Sequence, residues 1–152
     1  MEIPTQPINV LLVEDNPGDV FLIADALEKN NGSMSYTLHH VEDGEAAMQF
    51  LRQDSPYDRV PPPQLILLDL NLPRKHGLEV LTEVKKNPKF KLIPVVVLTT
   101  SDAERDILES YRLLANCYIT KPFEFDEFVE SVKILGNFWL GKVKLPLLSA
   151  MD

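Results

Sequence analysis

Residues 64–77, QLILLDLNLPRKHG, decide the fold. Four apolar residues, Leu65 to Leu68, run straight into a lone carboxylate, Asp69, and Pro73 and Gly77 then turn the chain. A run this short and this apolar reads as a strand buried on both faces, at the centre of a parallel sheet. Open α/β sheets bind ligands outside the carboxyl ends of their strands, and Asp69 stands at such an end.

The flanks repeat the pattern. Residues 8–13 (INVLLV) form a first buried strand that ends in two acids, Glu14 and Asp15. Asn16-Pro17 reads as a helix cap followed by proline at the first helical position. The helix is expected to run to about residue 30, with Val20, Ile23, Ala24 and Leu27 as its inner stripe and Asn31-Gly32-Ser33 as its breaker. Residues 36–41 form a weaker second strand, and Asp43 caps a helix carrying Ala46, Ala47, Phe50 and Leu51. Residues 53–63 (QDSPYDRVPPP) are a loop, since three consecutive prolines fit neither a helix interior nor a central strand.

Beyond the central strand, a helix is expected over 78–87 with Leu78, Leu81 and Val84 inward, then a β-branched strand over 93–98. Ser101-Asp-Ala-Glu104 reads as a capping box opening a helix to about residue 114. A short strand over 116–120 leads through Lys121-Pro122 into a last helix over 124–137, whose apolar set is Phe125, Phe128, Val129 and Val132, followed by a tail. Strands start near residues 8, 36, 64, 93 and 116, close to one βα unit every ~30 residues. The fold class is α/β: a five-stranded parallel sheet with right-handed crossovers.

With 152 residues, 45% of them hydrophobic, the chain suits one domain with a full core. The net charge of −8 argues against gripping nucleic acid, which depends on Lys and Arg neutralising phosphates, and equally against an anionic membrane surface. A lone cysteine, Cys117, excludes an internal disulfide and is read as a small buried apolar residue. Neither a secretion signal nor a membrane-spanning run is visible, so a cytoplasmic location is expected.

In a parallel sheet all strand C-termini share one edge. Here that edge collects Glu14 and Asp15, then Asp69 with Asn71, then Thr99, Thr100 and Ser101, then Lys121. Three carboxylates in one pocket repel each other unless a cation sits among them. Their oxygens are hard ligands of the Mg²⁺ type, and a bound divalent cation keeps the acids ionised. A metal, a lysine and an exposed carboxylate are the parts that phosphoryl transfer needs.

This ordered set resembles the receiver domain of two-component response regulators: the pair Glu14-Asp15, the acceptor Asp69 in DLNLPRKHG, Thr99, Tyr118, and Lys121-Pro122-Phe123. The resemblance covers residues 8–137 and implies a flavodoxin-like (βα)5 fold with helices on both faces. The Pro-rich loop, the stretch ending KNPKFKLIPVVVLTTS and the FWL…VKLP tail look like single-domain regulators that partner cyanobacterial phytochrome kinases. It implies that Asp69 accepts a phosphoryl group from a sensor histidine kinase. Asp15, Asp69 and the Asn71 backbone carbonyl would ligate Mg²⁺, with Glu14 holding it through water. Lys121 would contact the phosphoryl oxygens, Thr99 would hydrogen-bond the new group, and Tyr118 would swing inward. The Lys121-Pro122 bond would be cis. Thr100 departs from the family, which prefers a very small residue there, and its bulk narrows access to the phosphoryl group.

The chain is therefore expected to be a phosphoacceptor rather than an enzyme, with a receiver over 8–137, an extension over 138–152 and no output domain. Two other classes compete. An Asp-nucleophile phosphohydrolase usually carries a second Asp two residues on, where this chain has Asn71. A non-phosphorylated adaptor would have no need of the full acid, threonine and lysine set. His39, His40 and His76 lack metal-ligand spacing, and Arg74, Lys75, Lys85 and Lys86 read as a solvated face. On the first helix Leu22 points about 160° from the inner stripe, counting about 100° per residue, with Phe21 on its flank. Both suit docking of a kinase helix pair. Phe138, Trp139 and Leu140 either cap the core or join a homodimer contact through the fourth helix, fifth strand and fifth helix; a homodimer is expected.

Overall fold

The computed structural model describes residues 7–29 and 35–146. The expected breaker at Asn31-Gly32-Ser33 and the end of the tail lie outside the described residues. Five strands alternate with five helices: β1 (Ile8–Val13), α1 (Pro17–Lys29), β2 (Tyr36–Val41), α2 (Gly44–Arg52), β3 (Leu65–Leu68), α3 (Gly77–Lys86), β4 (Val95–Thr99), α4 (Glu104–Arg112), β5 (Cys117–Thr120) and α5 (Phe125–Gly136). All pairings are parallel and the strand order is β2-β1-β3-β4-β5.

The central strand is buried from end to end. Successive side chains point to opposite faces, so Leu65 and Leu67 pack toward α1 and α5, while Ile66 and Leu68 pack toward α2 and α3. Each such side chain contributes about 1.5–3 kcal/mol through its burial. Gly136 lets α5 lie close on α1, since a Cβ there would come within 2.8 Å of Leu27 Cδ2. The chain reverses direction across the sheet between β1 and β3, so their C-terminal ends frame the crevice where such sheets bind ligands.

Several local expectations are corrected. The inner stripe of α1 is Ile23, Ala26 and Leu27; Ala24 is only half-buried. That rotation turns Leu22 toward the core, where it packs half-buried, and leaves Phe21 exposed alone. β4 begins at Val95 rather than at residue 93, because Pro94 has no N–H for the ladder and the Ile93 N–H turns back to the Phe90 carbonyl. The capping box at Ser101 does not form. Ala103 occupies the cap position without a side-chain bond, and Ser101 Oγ instead donates to Asp106 at 2.6 Å. Phe125 opens α5 and is exposed; Phe128, Val132 and Leu135 supply its buried face. The chain beyond α5 is a π-helical turn, Asn137–Lys142, that buries Leu140, half-buries Trp139 and exposes Phe138. Cys117 is half-buried.

Lys85 is not part of a solvated face. Its Nζ donates to the Lys91 and Ile93 carbonyls at 3.2 and 2.9 Å and to Asn116 Oδ1 at 3.1 Å, tying the end of α3 to the starts of β4 and β5. Lys75 pairs with Glu83 and, at 4.0 Å, with Glu45, and so ties α3 to α2.

Candidate functional site

Strand register brings the polar residues together. Val13 pairs with Leu68, so Glu14 and Asp69, each one residue further on, leave adjacent strands side by side. The Asp69 N–H still donates to the Val13 carbonyl at 3.1 Å, which fixes that level. Thr99 pairs with Thr120, and the Lys121 N–H donates to the Thr99 carbonyl at 2.7 Å. The ladder therefore delivers the Lys121 side chain beside two acids that lie 107 and 52 residues away in sequence.

Lys121 Nζ donates to Glu14 Oε1 at 2.5 Å, Asp19 Oδ2 at 2.8 Å and Asp69 Oδ2 at 3.0 Å. Glu14, Asp69, Thr99 and Lys121 are all buried, whereas Asp15, Asn71 and Thr100 are exposed at the mouth. Carboxylate oxygens of Glu14, Asp15 and Asp69 lie within 4.8 Å of one another. Behind Asp69 the turn is closed by Gly77, whose N–H donates to the Leu70 carbonyl at 2.9 Å. A Cβ at Gly77 would sit 2.4 Å from the Asp69 carbonyl oxygen and 2.6 Å from Leu70 Cα, so only glycine lets α3 start this close to the strand end.

The charges are unequal in their environments. Burial pushes the Glu14 carboxyl up to about 7, and the repulsion of Asp69 adds to it, against the pull of Lys121. Burial would raise Asp69 too, but the Lys121 charge, the Asn71 N–H at 3.1 Å and the Thr99 hydroxyl outweigh it and hold Asp69 below its ordinary value. Burial alone would lower Lys121, yet its bonds to Asp19 and Glu14 and the charge of Asp69 hold the ammonium above its ordinary value. Asp69 is thus an ionised carboxylate at a sheet edge, next to a fixed cation.

Residues 10–133 match the family model described as the response regulator receiver domain. This chain belongs to the response regulator receiver family. The chain is 47% identical over 140 residues to response regulator Rcp1 of Synechocystis sp., over 92% of its own length and 94% of that protein. The Mn²⁺-bound form of Rcp1 superposes with a TM-score of 0.89 over 93% of this chain and all of the Rcp1 chain. The phosphorylated cyanobacterial phytochrome response regulator RcpA superposes with a TM-score of 0.88 at 46% identity, over 93% of this chain and all of the RcpA chain. The expected flavodoxin-like receiver fold is the one observed.

The receiver's donor set fits a hard divalent cation: three carboxylates offer only oxygen, and they converge closely enough to share one ion. Tyr118 is half-buried, and its hydroxyl donates to the Ser101 carbonyl at 2.8 Å, tying β5 to the loop after β4. The Lys121-Pro122 bond is trans; the cis bond among the described residues is Ser55-Pro56.

Two contributors escaped the sequence reading. Asp19 looked like an ordinary first-turn acid, where a negative charge suits the helix N-terminus. The available signal was its place one helical turn after the acid pair, on the helix that leaves the site. His40 Nε2 donates to the Glu14 carbonyl at 2.8 Å and steadies the acid-bearing strand end; a histidine on an edge strand gives no sign of this. His76 serves as the cap of α3, its Nδ1 accepting from the Leu78 N–H.

Proposed function

We propose that the protein is the phosphoacceptor of a two-component relay, taking a phosphoryl group from a phosphohistidine of a sensor histidine kinase onto Asp69. The single observation that carries this reading is the ionised Asp69 carboxylate, held beside Lys121 and facing Glu14 and Asp15. Asp69 supplies the electron pair for the new P–O bond as the P–N bond of the donor breaks, and the histidine ring takes that bond's electrons. A group carrying about −1.5 to −2 charge then stands at the sheet edge.

Glu14, Asp15, Asp69 and the Asn71 backbone carbonyl would hold Mg²⁺. When bound, the ion supplies positive charge that neutralises the acids and the incoming phosphoryl oxygens. Lys121 orients the phosphoryl group and offsets its charge. Thr99 hydrogen-bonds it, and the loop that Tyr118 grips through the Ser101 carbonyl moves in response. The partner best supported is a phytochrome-class kinase, on the likeness to Rcp1 and to the cyanobacterial phytochrome response regulator RcpA. The exposed Phe21 on α1 suits docking of that kinase.

The receiver would occupy residues 8–137 and act in the cytoplasm through protein contacts. Exposed Leu108, Tyr111 and Leu114 around α4, with Ile134 and Phe138, form the face proposed for a homodimer. A monomer by light scattering at micromolar concentration, with and without phosphorylation, would count against the dimer. The phosphoacceptor reading is tested by labelled phosphotransfer with Mg²⁺. Wild type should take label from a cognate kinase and Asp69→Asn should not; equal labelling of both would refute it.

A further inference from the structure

The Lys121 ammonium has three N–H donors, and three carboxylates take one each. Two of those acceptors, Glu14 and Asp69, belong to the trio that converges on a shared cation position. The third, Asp19, does not. It lies on the first turn of α1, its backbone N–H is held by Asn16 Oδ1 at 3.0 Å, and its side chain is the outermost of the three. Its side chain is 24% exposed, against 2% for Glu14 and 7% for Asp69.

A lysine saturated in this way has no donor left for a phosphoryl oxygen, and it competes with a metal ion for Glu14 and Asp69. Something must yield at each step. We propose that Asp19 is a positioning residue for Lys121, a carboxylate on which the ammonium rests when a divalent cation takes Glu14 and Asp69 and from which it departs toward the phosphoryl group. This rests on the phosphoacceptor reading above and adds a residue to it. Asp19 brings a fourth acidic side chain to the pocket, beside Glu14, Asp15 and Asp69, against one ammonium. The fourth charge favours a cation and disfavours an anion at the same place.

The consequence is a pair of effects of opposite sign. In Asp19→Asn, Lys121 leans fully on Glu14 and Asp69 and one negative charge is gone, so Mg²⁺ binds more weakly, by roughly threefold to tenfold. Beryllofluoride, a phosphoryl-like anion, meets less repulsion and a less encumbered lysine, so at saturating Mg²⁺ it binds more tightly by a similar factor. A residue that only caps α1 would weaken both or leave both unchanged. The substitution keeps the Asp19 backbone N–H and its bond to Asn16, so the helix start is retained.

The test is titration of the whole protein with Mg²⁺ alone, and then with beryllofluoride at saturating Mg²⁺, followed through the Asn71 amide by NMR. Wild type, Asp19→Asn, Asp19→Glu and Asp69→Asn are compared, with thermal unfolding of each metal-free protein as a control. Weaker Mg²⁺ and tighter beryllofluoride binding in Asp19→Asn, with Asp19→Glu restored to within about twofold of wild type by its retained charge, support the proposal; the reverse pair of shifts overturns it. Shifts of the same sign, or none, overturn it. If wild type binds no beryllofluoride, or Asp69→Asn binds it equally well, the phosphoacceptor reading itself has failed, a result separate from the behaviour of Asp19→Asn in a wild-type background that binds normally.

Discussion

Two lysines stand at opposite edges of the same sheet, and each donates three hydrogen bonds. Lys121 gives all of its bonds to carboxylates at the C-terminal edge. Lys85 gives all of its bonds to neutral oxygens at the N-terminal edge: two backbone carbonyls and the Asn116 amide, which also accepts from the Val95 N–H at 2.9 Å. Burial lowers the Lys85 ammonium, and among the described residues no carboxylate opposes it. Lys121 is held above its ordinary value by its anionic partners in spite of burial. The same side chain therefore does two jobs. At one edge its bonds form a closed structural clip. At the other its acceptors are carboxylates, for which, on the proposed function, an incoming cation would compete.

Breaking the two clips should separate those jobs. Lys121→Ala leaves Glu14 and Asp69 buried beside each other without their cation. It should cost the metal-free protein about 3–5 kcal/mol in urea unfolding, with Mg²⁺ recovering much of the loss. A metal-free protein unchanged in stability would contradict the part assigned to Lys121. Lys85→Met should cost less, about 1–3 kcal/mol, because the acceptors it strands are neutral and near water. It should leave Mg²⁺ affinity unchanged in calorimetry; a large loss of affinity would mean that the two edges are coupled.

A pH titration sharpens the contrast further. Glu14 is an acid whose folded value, about 7, lies above its ordinary 4.5, so the folded metal-free protein binds its proton more tightly than the unfolded chain does. The stability from this group is complete below about 4.5 and is lost as pH rises toward 7. Mg²⁺ competes with that proton, so its apparent affinity should climb over the same interval and level off above it. Calorimetric titrations at several pH values would show this, and a flat profile would contradict it. Lys85 bonds at the opposite edge of the sheet, away from Glu14, and Lys85→Met should leave the profile alone.

The smallest effect expected is at Gly77. Alanine there drives a Cβ against the Asp69 carbonyl and should destabilise by about 1–2 kcal/mol while shifting the Asp69 and Asn71 amide signals. An unperturbed NMR spectrum around residue 69 would show that the turn can relax without moving the acceptor.

The two edges also differ in how legible they are in sequence. The functional edge could be read because parallel strands put all their C-termini together, so acids and a lysine at strand ends had to meet: Glu14, Asp69 and Lys121 do meet. The Lys85 clip could not be read. It depends on where α3 ends relative to the start of β5, a distance in space rather than an interval in sequence, and a lysine in a KK pair looks solvated. Asp19 was hidden for a related reason, since helix propensity and the helix dipole already account for an acid in a first turn. Helix phase was the other weak point. On α1, choosing Ala24 instead of Ala26 for the stripe turned Leu22 outward, and only its packing against the core corrects that. At the chain's end the local pattern of Phe138-Trp139-Leu140 gave no phase, and the π-helical turn sends Leu140 inward and Phe138 outward.

Everything proposed for this edge turns on Asp69 receiving the phosphoryl group. The most direct measurement is to phosphorylate the protein with Mg²⁺ present, trap the acyl phosphate by borohydride reduction, and locate the reduced residue by mass spectrometry of the peptides. Reduction is expected at position 69 alone, lost when Mg²⁺ is chelated before phosphorylation. Trapping at Glu14, Asp15 or Asp19, or none at any carboxylate of a protein that has taken up label, would contradict it.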